Sequence, residues 1–189
     1  MKLDTMDFMK YWNYYVGIEK AFSETLQFVF PCKKNFGTFS DEYTKIIFLC
    51  CSEIDSILKT LMELSGANLK TNEQSMKFYS KFIENDEGIK KSLFGINPFN
   101  ALAGDGMNFS PFLDVNSSIK YSNLEWWEDY QMLKHDRLKN CDRGNLFNAV
   151  NSLIAYYILL VRLMDFVESY DRLTFADKHS KSSFFLPCI

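Results

Sequence analysis

Apolar side chains recur alternately four and three residues apart near the end of the chain: Leu146, Val150, Leu153, Tyr157, Leu160, Met164 and Val167. That spacing draws one unbroken stripe along a 3.6-residue helix. Phe147, Ile154 and Val161 widen the stripe on one side, and Leu159, Leu163 and Phe166 widen it on the other. Only Asn148, Asn151, Arg162 and Asp165 keep a narrow strip polar. A helix apolar over most of its girth is either the centre of a bundle or is covered by a second subunit, and the pattern allows both. Its most apolar run ends at Arg162, short of the ~20 residues a membrane span needs, so it reads as a buried helix.

Four further helices are expected before it. The first covers roughly residues 4–30, contains Gly17 and stops at Pro31. Ser40 is placed to cap a second, from Asp41 to about Ser65, with Asp41 and Glu42 suiting its positive end and Gly66 ending it. Thr71 and Gln74 fit a capping box for a third, which fades near Gly88. Ser122 and Glu125 fit another for a fourth, reaching about Asn140. Asn145 can cap the fifth, which runs to about Tyr170. Residues 91–121 carry three glycines and two prolines and read as one long irregular connection. The final HSKSSFFLPCI reads as a tail whose apolar end needs a place to dock. The expected architecture is therefore all-α: an antiparallel bundle of about five helices with one long irregular connection. It forms a single domain over 1–170, followed by a tail, 171–189.

Composition agrees and narrows the function classes. The 189 residues are 47% hydrophobic and 24% charged, enough apolar material for a sizeable core and too much for disorder. A net charge of −3 argues against a broad basic surface but allows a small basic pocket. The five cysteines are odd in number and lack any CxxC, which speaks against a disulfide framework or a zinc site. The start, MKLDTMDFMKYWNYY, has no apolar core of a signal peptide. A reducing cytoplasmic location is expected, with no membrane, no metal and no cofactor.

Candidate chemistry lies on two helices. On the second, Asp55 and Lys59 are four apart on the side opposite the apolar face, where a solvated pair is worth a few tenths of a kcal/mol. Glu53 sits at the margin of that face, among Leu49, Cys50 and Ile57. It either reaches water or is buried with a partner; in the second case Glu53→Gln would cost ~1–3 kcal/mol. On the fourth helix Trp126, Trp127, Tyr130, Leu133, Lys134 and Arg137 fall within ~120° of the wheel. Cations on an aromatic face must snorkel to its edge or be neutralised, by a carboxylate such as Glu53 or by a bound phosphate. The rings can hold a cation or stack on a base. His135 points to a different side. No phosphate-binding glycine loop, GxSxG, HExxH or calcium loop is present.

Ser52-Glu53-Ile54-Asp55 with Lys59, then Trp126-Trp127-x-x-Tyr130-x-x-x-Lys134-His135-x-Arg137 leading into a long apolar helix, resembles bacterial all-helical proteins related to the HEPN superfamily. The resemblance covers about residues 8–170 in layout, with its specificity in those two stretches. It implies a helical bundle that forms a homodimer, an RNA or nucleotide ligand, and in some members a metal-independent endoribonuclease of a defence or toxin system with a cognate partner protein. Others are non-catalytic dimerising modules. In the ribonucleases an Arg precedes a His by four to six residues. Here His135 precedes Arg137, and the correctly ordered pair, Arg172 and His179, follows the last helix. On the enzyme reading His135 is the acid/base, Arg137 and Lys134 hold the phosphate, and Glu53 orients one of the cations. Glu53, Lys134, Trp126, Trp127 and Tyr130 form the binding site.

Overall fold

Short-range side-chain chemistry sets most helix ends. The Ser40 hydroxyl accepts the Tyr43 amide at 3.1 Å, and the Asn145 side chain accepts the Asn148 amide at 3.0 Å. Each satisfies an otherwise orphaned donor in a first turn. The computed structural model describes residues 2–67, 75–96, 108–167 and 185–187. Among them it has α1 (Thr5–Thr25), α2 (Asp41–Leu64), α3 (Met76–Asn85), the single turn α4 (Glu87–Lys90), α5 (Glu125–His135) and α6 (Leu146–Leu163). Beyond α2, Gly66 takes φ +89°, a left-handed conformation that glycine adopts at little cost. The Gly66 amide then reaches the Glu63 carbonyl, and the Ala67 amide the Met62 carbonyl, closing the helix.

Four expected ends move. α6 stops at Leu163 and passes into a 3₁₀ turn (Met164–Phe166), short of Tyr170. α1 stops at Thr25, well before Pro31. The Thr25 hydroxyl bonds back to the Phe22 carbonyl at 2.6 Å, competing with helical continuation. The Ser122–Glu125 box does not form. Ser122 lies in a 3₁₀ turn (Lys120–Asn123) at φ +59°, its hydroxyl directed at the Met76 carbonyl, and Leu124 precedes α5. α5 ends at His135 rather than near Asn140, because the Asn140 side chain donates to the Met132 and Asp136 carbonyls. Thr71 and Gln74 lie outside the described residues, and α3 follows Ser75.

The fold is mostly helical, with an addition the sequence did not show. Three short strands, β1 (Phe94–Ile96), β2 (Asn108–Phe109) and β3 (Phe185–Pro187), form an antiparallel sheet in the order β2-β1-β3. The apolar end of the tail thus docks on β1. The connection between α4 and α5 also packs, burying Phe109, Phe112 and Val115.

The bundle is not antiparallel throughout. The segments leading into α2 and α6 pair through Phe39 and Asn145, the Leu146 amide reaching the Thr38 carbonyl at 2.9 Å. Farther along, Cys50 on α2 meets Ser152 on α6, so these two central helices run side by side in the same direction. α1 runs against both. Its Tyr11 hydroxyl reaches Ser56 and Thr60 at 3.3 and 3.2 Å and its backbone carbonyl takes the Tyr156 hydroxyl at 2.9 Å. α5 also opposes α2, with Tyr130 packed on Phe48 and Arg137 beside Asp41. α6 is covered by its own chain, with 15 of its residues buried. The stretch Leu146–Phe166 is long and apolar enough to cross a membrane by length and composition, and 83% of its apolar window is buried inside the protein.

Candidate functional site

α2 presents two polar stripes. Glu53, Ser56 and Thr60 follow one side, and Ser52 and Asp55 another; at ~100° per residue Glu53 and Asp55 lie ~200° apart in rotation. The first side belongs to α1 and α6, where Glu53 lies near enough to Tyr156 to raise the titration of that phenol, behind the larger effect of its burial. The second opens into a cleft of about 520 Å³ between α2, α3 and α5. The acid in the cleft is therefore Asp55, and Glu53 is not part of it. The expected convergence of Glu53 with Lys134 and Arg137 does not occur.

α5 supplies one wall with Trp127, Tyr130, Gln131 and Lys134, spaced three, one and three apart along one face. The start of α3 adds Ser75, Met76 and Lys77, and the 3₁₀ turn adds Lys120. Among the described residues, three lysines from three elements thus rim a hollow that holds one carboxylate. Lys134 Nζ lies 5.8 Å from the centre of the Tyr130 ring, within cation–π range. Trp127 and Tyr130 are more than nine-tenths buried, so they form an apolar wall and not open stacking platforms.

Asp55 is half-buried and makes no ion pair within 4 Å of a described cation. Burial raises its pKa above the ordinary carboxylate value; the charge of Lys134, the Tyr79 hydroxyl and Lys59 oppose that rise without cancelling it. Tyr79, fully buried on α3, is pushed up to about 12, first by burial and then by Asp55. Its hydroxyl approaches the carboxyl without reaching ordinary hydrogen-bond geometry and has no other partner among the described residues. Tyr130 is also pushed up to about 12, mainly by burial.

The remaining predicted residues lie elsewhere. His135 is exposed and does not line the cleft. Arg137, beyond the end of α5, bonds Asp41 at 2.9 Å at the start of α2. Asp41 precedes Ser52 by eleven residues, ~16 Å along the helix. Trp126 faces away from the cleft: its indole donates to the Pro111 carbonyl at 2.8 Å and its ring packs edge-on against Phe112 and Trp127. Arg172 and His179 lie outside the described residues. Sequence reasoning missed Lys77, Lys120 and Tyr79, which come from a third helix and a turn with no local motif. It placed Asp55 in a solvated pair with Lys59, whereas Asp55 opens into the cleft.

A second polar cluster holds the far side of α5. Asp129, 9% exposed, accepts from Arg143 and, at 2.7 Å, from the Asn148 amide, which also donates to the Arg143 carbonyl at 2.9 Å. No group of three or more possible metal ligands occurs among the described residues. Comparison of the chain with protein-family models, with curated proteins and with solved structures finds no match.

Proposed function

We propose that this protein is a HEPN-like helical module that binds RNA or a nucleotide through phosphate in the α2–α3–α5 cleft. One observation carries the reading: a chain of net charge −3 gathers Lys77, Lys120 and Lys134 around a hollow that contains only one acid among the described residues. Such a concentration of positive charge attracts anions locally in spite of the overall charge. Lys134 and Tyr130 are the binding residues expected from sequence that fit this role; Trp127 shapes the wall. The resemblance adds a defence or toxin setting, a homodimer, a cognate partner protein and a cytoplasmic location to the same proposal.

The endoribonuclease form of the reading asks more. His135 and Arg137 would have to act on a strand that leaves the cleft past Lys134 towards the end of α5. The test is cleavage of labelled RNA in EDTA by wild type, His135→Ala and Arg137→Ala, beside RNA binding by wild type and Lys134→Ala. Cleavage lost in both histidine and arginine variants supports the enzyme. Binding without cleavage, weakened in Lys134→Ala, leaves a binding module. No binding removes the proposal.

A non-catalytic dimerising module is the alternative. It is favoured by an apolar groove of about 350 Å³ beside the bare Phe28, lined also by Ala21, Val29 and Tyr43. Light scattering on wild type and Phe28→Ser separates it: a dimer lost in the variant, with no RNA binding by wild type, selects this reading.

A further inference from the structure

We infer that Asp55 reads a ribose 2′-hydroxyl beside the phosphate held by the cleft lysines, so that the site takes ribonucleotides in preference to deoxyribonucleotides. This rests on the phosphate-binding reading above and adds a specificity residue to it. A carboxylate only accepts hydrogen bonds, and among the described residues Asp55 enters the cleft with the Tyr79 hydroxyl near its carboxyl but no hydrogen bond of ordinary geometry made, which leaves acceptor sites for a ligand. Taken partly out of water, it gains most from a ligand that brings a donor.

The surroundings decide which donor. An ammonium or guanidinium ligand would meet Lys77, Lys120 and Lys134 and be repelled. The donor must therefore be neutral and belong to a molecule that is anionic as a whole. A sugar hydroxyl next to a phosphate ester fits both conditions. A base edge fits less well, because Trp127 and Tyr130, being closed into the core, leave no open ring face on which a base could lie. Sugar and phosphate thus occupy the cleft and the base projects outward, which makes binding tolerant of base identity. The 2′-hydroxyl is the group by which a protein distinguishes RNA from DNA. Ser52 and Gln131, on either side of the cleft, supply further polar contacts to the sugar.

The ligand can be a free ribonucleotide or an RNA strand, and one titration series separates them. Adenosine monophosphate, its 2′-deoxy counterpart, and a ten-residue RNA and DNA of one sequence are each titrated into wild type, Asp55→Ala, Asp55→Asn and Lys134→Ala. Thermal melts first establish that each variant is folded. Wild type should prefer the ribo form at least about tenfold, the size of one hydrogen bond to a charged group. Asp55→Ala should bring the ratio close to one without weakening the deoxy form, and Asp55→Asn should keep part of it. Lys134→Ala should weaken ribo and deoxy forms by the same factor. Preference confined to the oligonucleotides assigns a strand, and preference shared by the mononucleotides assigns a free nucleotide; both support the inference. Equal binding of ribo and deoxy forms by wild type, or a ratio that survives in Asp55→Ala, overturns the role of Asp55 and leaves the phosphate site standing. No binding of any of the four overturns both.

Discussion

Gly144 lies so close to Thr44 that a Cβ on the glycine would meet the threonine hydroxyl. The contact sits where the chain enters the two central helices, with the Ser40 amide donating to the Gly144 carbonyl at 3.0 Å. This pairing starts α2 and α6 at one level. Gly144→Ala should therefore cost ~1–3 kcal/mol by overpacking, read from urea unfolding. Adding Thr44→Ala should recover most of the loss. A Gly144→Ala protein as stable as wild type would contradict the close approach.

The Asp129 cluster offers a second test of the architecture. Asp129→Ala removes the carboxylate that accepts from Arg143 and leaves the Asn148 amide only the Arg143 carbonyl. The expected loss is ~1–3 kcal/mol, reduced from the cost of a fully buried pair because Arg143 is 38% exposed. Combined with Arg143→Ala, the second substitution should cost less than it does alone. Strictly additive losses in a double-mutant cycle would show that the two side chains do not act together.

Glu53 changes the expectation stated for it from sequence. It is half-buried with no ion-pair or hydrogen-bond partner among the described residues, and burial raises its pKa above the ordinary glutamate value of 4.5. An acid whose folded pKa is raised favours the folded state while protonated. That contribution is complete below the unfolded value and is lost as pH rises through the folded one. Above that window wild type holds a poorly solvated charge that Glu53→Gln removes. The variant should thus equal or exceed wild type in melting temperature at pH 7, with the difference fading as pH falls towards 4.5. A clear loss of stability at pH 7 would mean that the carboxylate is paired after all.

Cys50 and Cys51 are fully buried between helices, and burial pushes both thiols up, away from the reactive thiolate. Cys141 is exposed. A thiol reagent at pH 8 should modify Cys141 in the native protein and reach Cys50 and Cys51 only after denaturant is added, as peptide masses will report. Rapid native labelling of the adjacent pair would place that part of α2 outside the core.

The amino-acid sequence by itself determined what depends on near neighbours. The Ser40 and Asn145 caps, the glycine end of α2, the course of α6 and the shared face of Trp127, Tyr130 and Lys134 all follow from groups within a few residues of each other, where helix geometry alone sets the relation. Only the tertiary structure decided which neighbour covers each face. A helical wheel shows that Glu53 and Asp55 diverge, but not that α1 and α6 lie on one side and an open cleft on the other. Because α2 is enclosed over much of its girth, the acid judged solvated borders the cleft, while the one judged central faces α1 and α6. Lys77 and Lys120 reach the same hollow through long-range packing of α3 and the 3₁₀ turn, and the tail strand finds β1 in the same way. Such meetings depend on how whole elements exclude water from one another, and no local spacing encodes them.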